Sequence, residues 1–347
     1  MLSALGSGPA VFAGPVHFQS ESNPSSTVLT DFTTRATPMA IAQTQPLLLL
    51  GSGYTGEALV AAAAAAGFTP VPTSRTPGAR TTADGTPWVR FDLRDESTWV
   101  NLPAVPRYAW LFPAAPLEQV RRFTERIDLR SRRVVVVGTT SSYLPGKTGE
   151  RGGERAPTGP GGNATDGMNE GMEPGRGAQA VAQVDEDNPL DMTSDRVQGE
   201  EYLRSIGATV LRASGIYGPA LGPHPARNPL SWLRRGMIAS ADSWVNLVHV
   251  SDLAAAILEA MNRDLTGEQL IVSDGTPRRW GDIGDWAARN GLLTESRYSG
   301  AGKRLSKWVS NARLNSRLGP VLTHTDLFRE LAQLEGSQGR NYGSRGN

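Results

Sequence analysis

The chain has 347 residues, with 35 Lys+Arg against 34 Asp+Glu, four His and no Cys. The lack of cysteine excludes a disulfide framework, a thiolate zinc site, an iron–sulfur cluster and a cysteine nucleophile, and a formal net charge of +1 argues against a protein that coats nucleic acid phosphates. No apolar run reaches the roughly 18–20 residues of a membrane span, so the expectation is a globular cytoplasmic protein long enough for one large or two unequal domains.

Residues 1–45 are rich in Ser, Thr, Pro and Gly and carry a single arginine, Arg35. They read as a disordered extension, with Met39 as an alternative start. The other reading is a plastid-type targeting segment, against which Glu21, Asp31 and the scarcity of arginine count. From Leu47 the pattern changes. Leu47–Leu50 is a short apolar strand and Glu57–Ala66 an alanine-rich helix closed by Gly67. Thr69–Thr73, Trp88–Phe91 and Ala109–Phe112 read as further strands, with a short helical stretch beginning near Asp95. Leu117–Ile127 is a helix, and Arg133–Val137, with four consecutive valines, is a fully buried strand. Strands alternating with helices, and apolar throughout, predict a parallel sheet covered on both faces.

Residues 145–184 interrupt this alternation with a glycine-rich, apolar-poor stretch that cannot offset its ordering entropy, so a disordered insertion is expected. The pattern resumes with a helix at Asp195–Ile206 closed by Gly207, a strand at Thr209–Arg212 and a helix at Asp252–Met261. A strand at Gln269–Val272 and a helix at Trp280–Asn290 complete it, and residues 331–347 read as a tail. The four histidines, His17, His224, His249 and His324, show no metal-ligand spacing, so no metal is expected. His249, flanked by Val248 and Val250, reads as a hydrogen-bonded core residue.

GSGYTG, from Gly51 through Ser52, Gly53, Tyr54 and Thr55 to Gly56, lies between the first strand and the first helix. In that context each glycine has a mechanical role. Gly51 permits a tight turn, Gly53 lets the backbone approach a pyrophosphate, and Gly56 lets the helix pack on the strand. The helix N-terminus offers free N–H groups to the phosphates. An NAD site usually carries an acidic residue about 20 positions further on, to hold the ribose hydroxyls. Here the second strand ends in Ser74-Arg75 with no carboxylate. A hydroxyl followed by a guanidinium suits a 2′-phosphate. The expected cofactor is therefore NADP, with NAD as the alternative.

These residues, with several later segments in order, resemble the extended short-chain dehydrogenase/reductases, the NAD(P)-dependent epimerase/dehydratase family, and within it the atypical nucleoside-diphosphate-sugar epimerase-like members. The resemblance spans residues 46–330 apart from the insertion. It implies a Rossmann-type doubly wound parallel sheet with a small substrate-binding region, mainly residues 217–330. Asp92-Leu93 is similar to the family's adenine contact. Ala114-Ala115-Pro116 is similar to its cofactor-lining segment, and VVVVGTTSSY to its active-site strand, which places Thr139 at the Ser/Thr position with Thr140 beside it. VLRASGIYGP, NLVHVSDLAAAILEAM and KRLSKWVSNARLNSRLG resemble the family's later segments.

One departure bears on chemistry. Active members carry a Tyr-x-x-x-Lys pair, in which tyrosine transfers the proton and lysine lowers its pKa and holds the ribose. Aligning DRVQGEEYLRSIG, with Glu200 at the family's glutamate, puts Met192 and Arg196 at these positions. Met192 cannot carry a proton. Arg196 remains a candidate for ribose or phosphate but not for acid–base work. Tyr143 and Tyr217 are the candidate replacements. The resemblance thus implies an NADP-dependent oxidoreductase, epimerase or dehydratase acting on a nucleotide sugar or similar small molecule. The alternative is a catalytically degenerate NADP(H)-binding sensor or scaffold. The basic stretch from Arg297 to Arg317 is read as part of the family segment, not as a nucleic-acid patch, and the oligomeric state is left open.

Overall fold

A computed structural model of the chain describes residues 45–144, 182–300 and 307–343, with side chains as far as residue 337. The expectations for residues 1–44 and for most of the glycine-rich insertion lie outside the described residues.

The elements follow in order: β1 (Gln45–Leu50), α1 (Tyr54–Ala65), β2 (Phe68–Ser74), β3 (Val89–Arg90), β4 (Arg107–Trp110), α2 (Leu117–Arg126) and β5 (Arg133–Thr139). After the insertion come β6 (Ala182–Val184), α3 (Asp195–Ser205), β7 (Thr209–Ala213), β8 (Gly215–Tyr217), α4 (Pro229–Arg234), β9 (Trp244–Val245), β10 (Leu247–His249) and α5 (Val250–Asn262). The chain continues through β11 (Gln269–Val272), β12 (Arg278–Arg279), α6 (Trp280–Arg289), β13 (Lys307–Val309), α7 (Ala312–Leu318) and α8 (Leu327–Gly343).

Seven strands form one sheet in the order β11-β7-β5-β4-β1-β2-β3, and every pairing in it is parallel. This is the Rossmann-type α/β fold. The order runs outward in both directions from β1 and β4, so the crossovers diverge there and leave a crevice at the carboxyl ends of these two strands. The leucine run of β1 shows why the sheet is buried on both sides. Leu47 and Leu49 belong to one core cluster and Leu48 and Leu50 to the other, because side chains alternate across a strand. Val135 and Val137 of β5 join the first cluster, and Val134 and Val136 the second. Helix α5 covers the first face with its buried Leu253, Ala256, Ile257 and Ala260. The second face is closed by residues such as Val120 and Phe123 of α2 and Leu203 of α3.

Of the boundaries that differ from the sequence expectation, four bear on packing. Helix α1 starts at Tyr54, not Glu57, so the helix grows directly out of the glycine turn. The third strand shrinks to two residues, and Trp88 beside it lies under the guanidinium of Arg80, 3.5 Å from its ring centroid. Residues 182–184, counted with the insertion, pair as β6 with β13. The expected tail at 331–347 continues α8 as far as Gly343, with Leu327, Leu331 and Leu334 buried in a third cluster around Tyr217, Leu230 and Trp280. Their spacing of four and three residues makes one helical stripe, which the sequence reading overlooked. Among the described residues no helix is long and apolar enough to cross a membrane.

Helix α3 packs tightly where it crosses the segment after β4. A Cβ on Gly199 would stand 1.8 Å from the carbonyl oxygen of Ala114. Alanine favours a helix interior over glycine by about 1 kcal/mol, whereas overpacking a core typically costs about 1–3 kcal/mol, and more against rigid backbone. Sterics therefore win. Gly199→Ala is expected to lower the urea midpoint without changing the slope of the transition. An unchanged or raised midpoint would show that α3 does not sit against Ala114.

Candidate functional site

The glycine turn is built as its three spacings require. Gly51 has φ +79°, and a Cβ there would meet the Phe112 ring at 2.6 Å. Its N–H donates to Thr73 Oγ1 at 3.0 Å, and the N–H of Ser52 to the Thr73 carbonyl at 2.8 Å, locking the turn to the end of β2. A Cβ on Gly56 would stand 2.8 Å from Ser52 Cβ, so this glycine sets the approach of α1 to the turn. Gly53 differs from both. Nothing lies within 4 Å of the Cβ it lacks, and no side chain caps the helix that starts after it. The Glu57 N–H is the first to bond back, to the Gly53 carbonyl at 3.0 Å, so the N–H groups of Tyr54, Thr55 and Gly56 precede the helical ladder. Open space before a free helix N-terminus fits a pyrophosphate. The Tyr54 side chain turns away from it. Its hydroxyl donates to the Pro219 carbonyl at 2.9 Å, Arg227 lies 4.7 Å over its ring, and burial pushes the phenol up to about 12.

The other expected cofactor contacts gather at the same sheet edge. Ser74 ends β2, and its hydroxyl accepts the Thr76 N–H at 3.2 Å. Arg75 follows it, exposed and without an ion-pair partner among the described residues. Asp92 is half-buried, with Oδ1 accepting the Arg94 N–H at 3.0 Å, beside the buried Leu93. Ala114 is fully buried against Gly199, and Ala115 and Pro116 lead into α2.

At the end of β5, Thr139 is half-exposed and its hydroxyl accepts the Ser141 N–H at 3.2 Å, while Thr140 is buried. The two candidate tyrosines are not brought to it. Tyr143 lies in a core cluster with Val184, Ile271 and Val309, 5.5 Å from the Arg212 guanidinium. Tyr217 is fully buried in the third cluster, edge-on to His249. Neither hydroxyl has a hydrogen-bond partner, and burial pushes both phenols upward. A group sequence reasoning overlooked does reach this turn. Lys307 of β13 donates from Nζ to the Tyr143 carbonyl, and desolvation lowers its pKa to about 8. Separated from Tyr143 by 164 positions, it carries no local signal beyond its place in the basic C-terminal segment.

Arg196 departs from its expected place at the cofactor. Helix α3 begins only at Asp195, so Met192 precedes the helix, with 51% of its surface exposed. Arg196 turns inward, donating from Nε to Glu200 Oε1 at 2.6 Å and from Nη2 to the Val137 carbonyl at 3.2 Å. Glu200 in turn receives Arg212 at 2.6 Å, both side chains having no exposed surface, and Arg212 also reaches Glu201 at 2.8 Å and Gln269 at 3.1 Å. The guanidinium expected at a ribose instead completes a buried ion network.

His249 behaves as the core residue that its neighbours implied. Its Nδ1 accepts the Ser251 N–H at 3.3 Å, capping α5, and its ring stacks 4.0 Å from His324. His324 Nδ1 lies 2.8 Å from Asp252. Burial pushes the Asp252 carboxyl up, but hydrogen bonds from His324 and Thr323 outweigh it and hold the group below the usual carboxylate range. Linear spacing did not show that one ligand-type atom each of His249, His324 and Glu330 would lie within 4.8 Å of one another. The cap bond leaves the His249 proton on Nε2, and the Asp252 contact uses Nδ1 of His324.

The chain has the fold of the extended short-chain dehydrogenase/reductases. No protein-family model matches the sequence, and no curated protein does. Solved structures match it over most of their length. A short-chain dehydrogenase/reductase superfamily protein of Agrobacterium tumefaciens with bound NAD is 16% identical, with 87% of this chain and 99% of that one covered and a TM-score of 0.63. UDP-glucose 4-epimerase of Brucella ovis in complex with NAD is 16% identical, covering 85% and 99% with a TM-score of 0.58. UDP-glucuronic acid 4-epimerase of Bacillus cereus in complex with NAD is 12% identical, covering 84% and 99% with a TM-score of 0.57.

Burial, reinforced by the neighbouring His324, lowers the His249 pKa to about 4, against about 6.5 in an unfolded chain. The unfolded state therefore takes up the proton first as pH falls. The contribution is complete above about pH 6.5 and is lost toward pH 4, on the order of 3 kcal/mol in all. His249→Asn, which keeps a capping side chain, should flatten the fall in melting temperature between pH 7 and pH 5. Parallel curves for the two proteins would contradict this.

Proposed function

We propose that the chain binds a nicotinamide dinucleotide at the Gly51–Gly56 turn, prefers NADP(H) over NAD(H), and acts as an oxidoreductase, epimerase or dehydratase on a nucleotide sugar or similar small molecule. The observation that carries this reading is the open face of Gly53 before an uncapped α1, with Ser74 and Arg75 at the adjoining strand end. The residues fit the cofactor. The turn and the first N–H groups of α1 would hold the pyrophosphate, Ser74 and Arg75 the 2′-phosphate, Asp92 and Leu93 the adenine, and Ala114, Ala115 and Pro116 would line its path. Bound there, the nicotinamide supplies hydride transfer. The NAD complexes of two UDP-sugar epimerases with this fold support the cofactor class and the substrate class.

Of the chain's own groups, Thr139 is the hydroxyl offered at the carboxyl edge of β5, where it would orient a substrate oxygen. Lys307, which donates to the Tyr143 carbonyl beyond that turn, is the candidate proton carrier. Tyr143 and Tyr217 are sealed in the core and take no part as the structure stands. A second reading is favoured by the inward Arg196 and the exposed Met192: the chain holds NADP(H) without turning it over, as a sensor or scaffold.

Titration with NADPH and NADH tests the cofactor reading. Gly53→Val is expected to abolish binding while the protein stays folded, because its side chain enters open space. Arg75→Ala should weaken NADPH by about 1–3 kcal/mol, the range for hydrogen bonds to charged groups, and leave NADH unchanged. Tighter NADH binding in the unaltered protein would overturn the NADP preference.

A screen of nucleotide sugars tests turnover. Removing a positioned acid typically costs about 10²–10⁴-fold in rate, which is the loss expected for Lys307→Met, and Thr139→Ala should also slow the reaction. As an acid, Lys307 would give a rate that falls above about pH 8, a limb absent in Lys307→Met. Cofactor binding with no turnover of any substrate would favour the second reading.

A further inference from the structure

The edge of the sheet opposite the glycine turn carries a cavity of about 470 Å³ at the amino ends of β4, β5 and β7. Five arginines line it, Arg107, Arg130, Arg132, Arg133 and Arg263, and no Asp or Glu does. The ordinary explanation for arginine at this edge is that helices end there, and cations satisfy their last carbonyls. That accounts for two of the five. Arg133 donates to the carbonyls of Met261 and Arg263 at 2.9 and 3.1 Å. Arg263 donates to those of Arg317 and Leu318 at 2.9 and 3.2 Å and pairs with Glu259 at 2.6 Å.

It does not account for Arg107, Arg130 and Arg132, which have no ion-pair partner among the described residues. The Nε of Arg107 and the Nε of Arg132 are buried and have no hydrogen-bond partner. Native structures rarely leave buried donors unmatched, and each exception calls for a partner. Asp264 follows the lining residue Arg263 in the chain. Its Oδ1 receives Thr266 Oγ1 at 2.8 Å, and its pKa lies below the usual carboxylate range chiefly through its hydrogen bonds to Thr266, with Arg133 contributing. It faces Arg133, one of the two cations already engaged.

We infer that this cavity is a binding site for a phosphate-bearing small molecule, a nucleoside di- or triphosphate or an inorganic polyphosphate, separate from the dinucleotide site. Guanidinium forks match phosphate oxygens two at a time. The volume lies in the range of small-molecule sites. Val134, Ile206 and Leu265 give the cavity an apolar side for the remainder of a nucleotide.

Calorimetric titration of the full chain with ATP and with inorganic pyrophosphate, at matched ionic strength, tests this. The titrations use the Gly53→Val background, so that the glycine turn cannot be the receptor. Both ligands are expected to bind. Arg132→Gln and, separately, Arg130→Gln, whose exposed side chain makes it safe for folding, should each weaken binding at least tenfold, whereas Arg289→Gln on the distant end of α6 should change nothing. ATP binding more tightly than pyrophosphate would assign the site to a nucleotide, and equal affinity would assign it to the phosphates alone. The inference is overturned if neither ligand binds at millimolar concentration. It is equally overturned if binding survives both cavity substitutions, or if Arg289→Gln weakens it as much as they do.

Discussion

Arg212 stands in a central strand with no exposed surface, and the chain must neutralise its charge there. An unpaired charge in that position would cost several kcal/mol, and breaking such a pair commonly costs about 3–5 kcal/mol. Glu200 supplies the match from α3, which fixes the rotation of that helix over the sheet. The rest of the neighbourhood follows from this pair. A Cβ on Gly138 would stand 3.0 Å from the Glu200 carboxylate, so β5 can carry only glycine beneath it without displacement. Gly199 brings α3 onto the Ala114 carbonyl. Arg196, one helical turn before Glu200, takes the second carboxylate oxygen.

The same constraint shapes the chemistry available to the crevice. Arg196 is drawn into the ion network, and the position four residues earlier lies outside the helix and holds a methionine. Fold and function therefore separate along this helix. In the proposed reading, the cofactor half of the site rests on backbone turns that the network does not touch, whereas a proton-transfer pair on this helix would need a side chain that the network has engaged. The tertiary structure also brings in Lys307 from the far end of the sequence, partly desolvated against the Tyr143 carbonyl.

The two edges of the sheet present opposite problems. At the carboxyl edge, strand ends and a free helix N-terminus offer unsatisfied N–H groups to an anion. At the amino edge the helices present their carbonyl ends, which favour cations. Arg133 and Arg263 meet that demand with hydrogen bonds to helix carbonyls. The surplus of arginines beyond it makes the second edge attractive to anions as well.

The sequence by itself determined the parallel sheet, since four leucines in β1 and four valines in β5 can be buried only with cover on both faces. It also determined the glycine turn, because each spacing in Gly51–Gly56 answers a distinct steric requirement visible from composition. It marked Met192 and Arg196 as departures from the pair carried by the family that the sequence resembles, and His249 as a core residue from its apolar neighbours. It did not show the buried helical stripe of α8, although the spacing of Leu327, Leu331 and Leu334 contains it. Only the tertiary structure decided which way Arg196 points, that Tyr143 and Tyr217 are sealed from the crevice, that Lys307 reaches the Thr139 turn, and that five arginines share one cavity. The physical reason is common to all four. A side chain's direction, solvation and partners depend on groups distant in the chain, and even the Arg196–Glu200 contact one turn apart is fixed by Arg212 and Val137 across the fold.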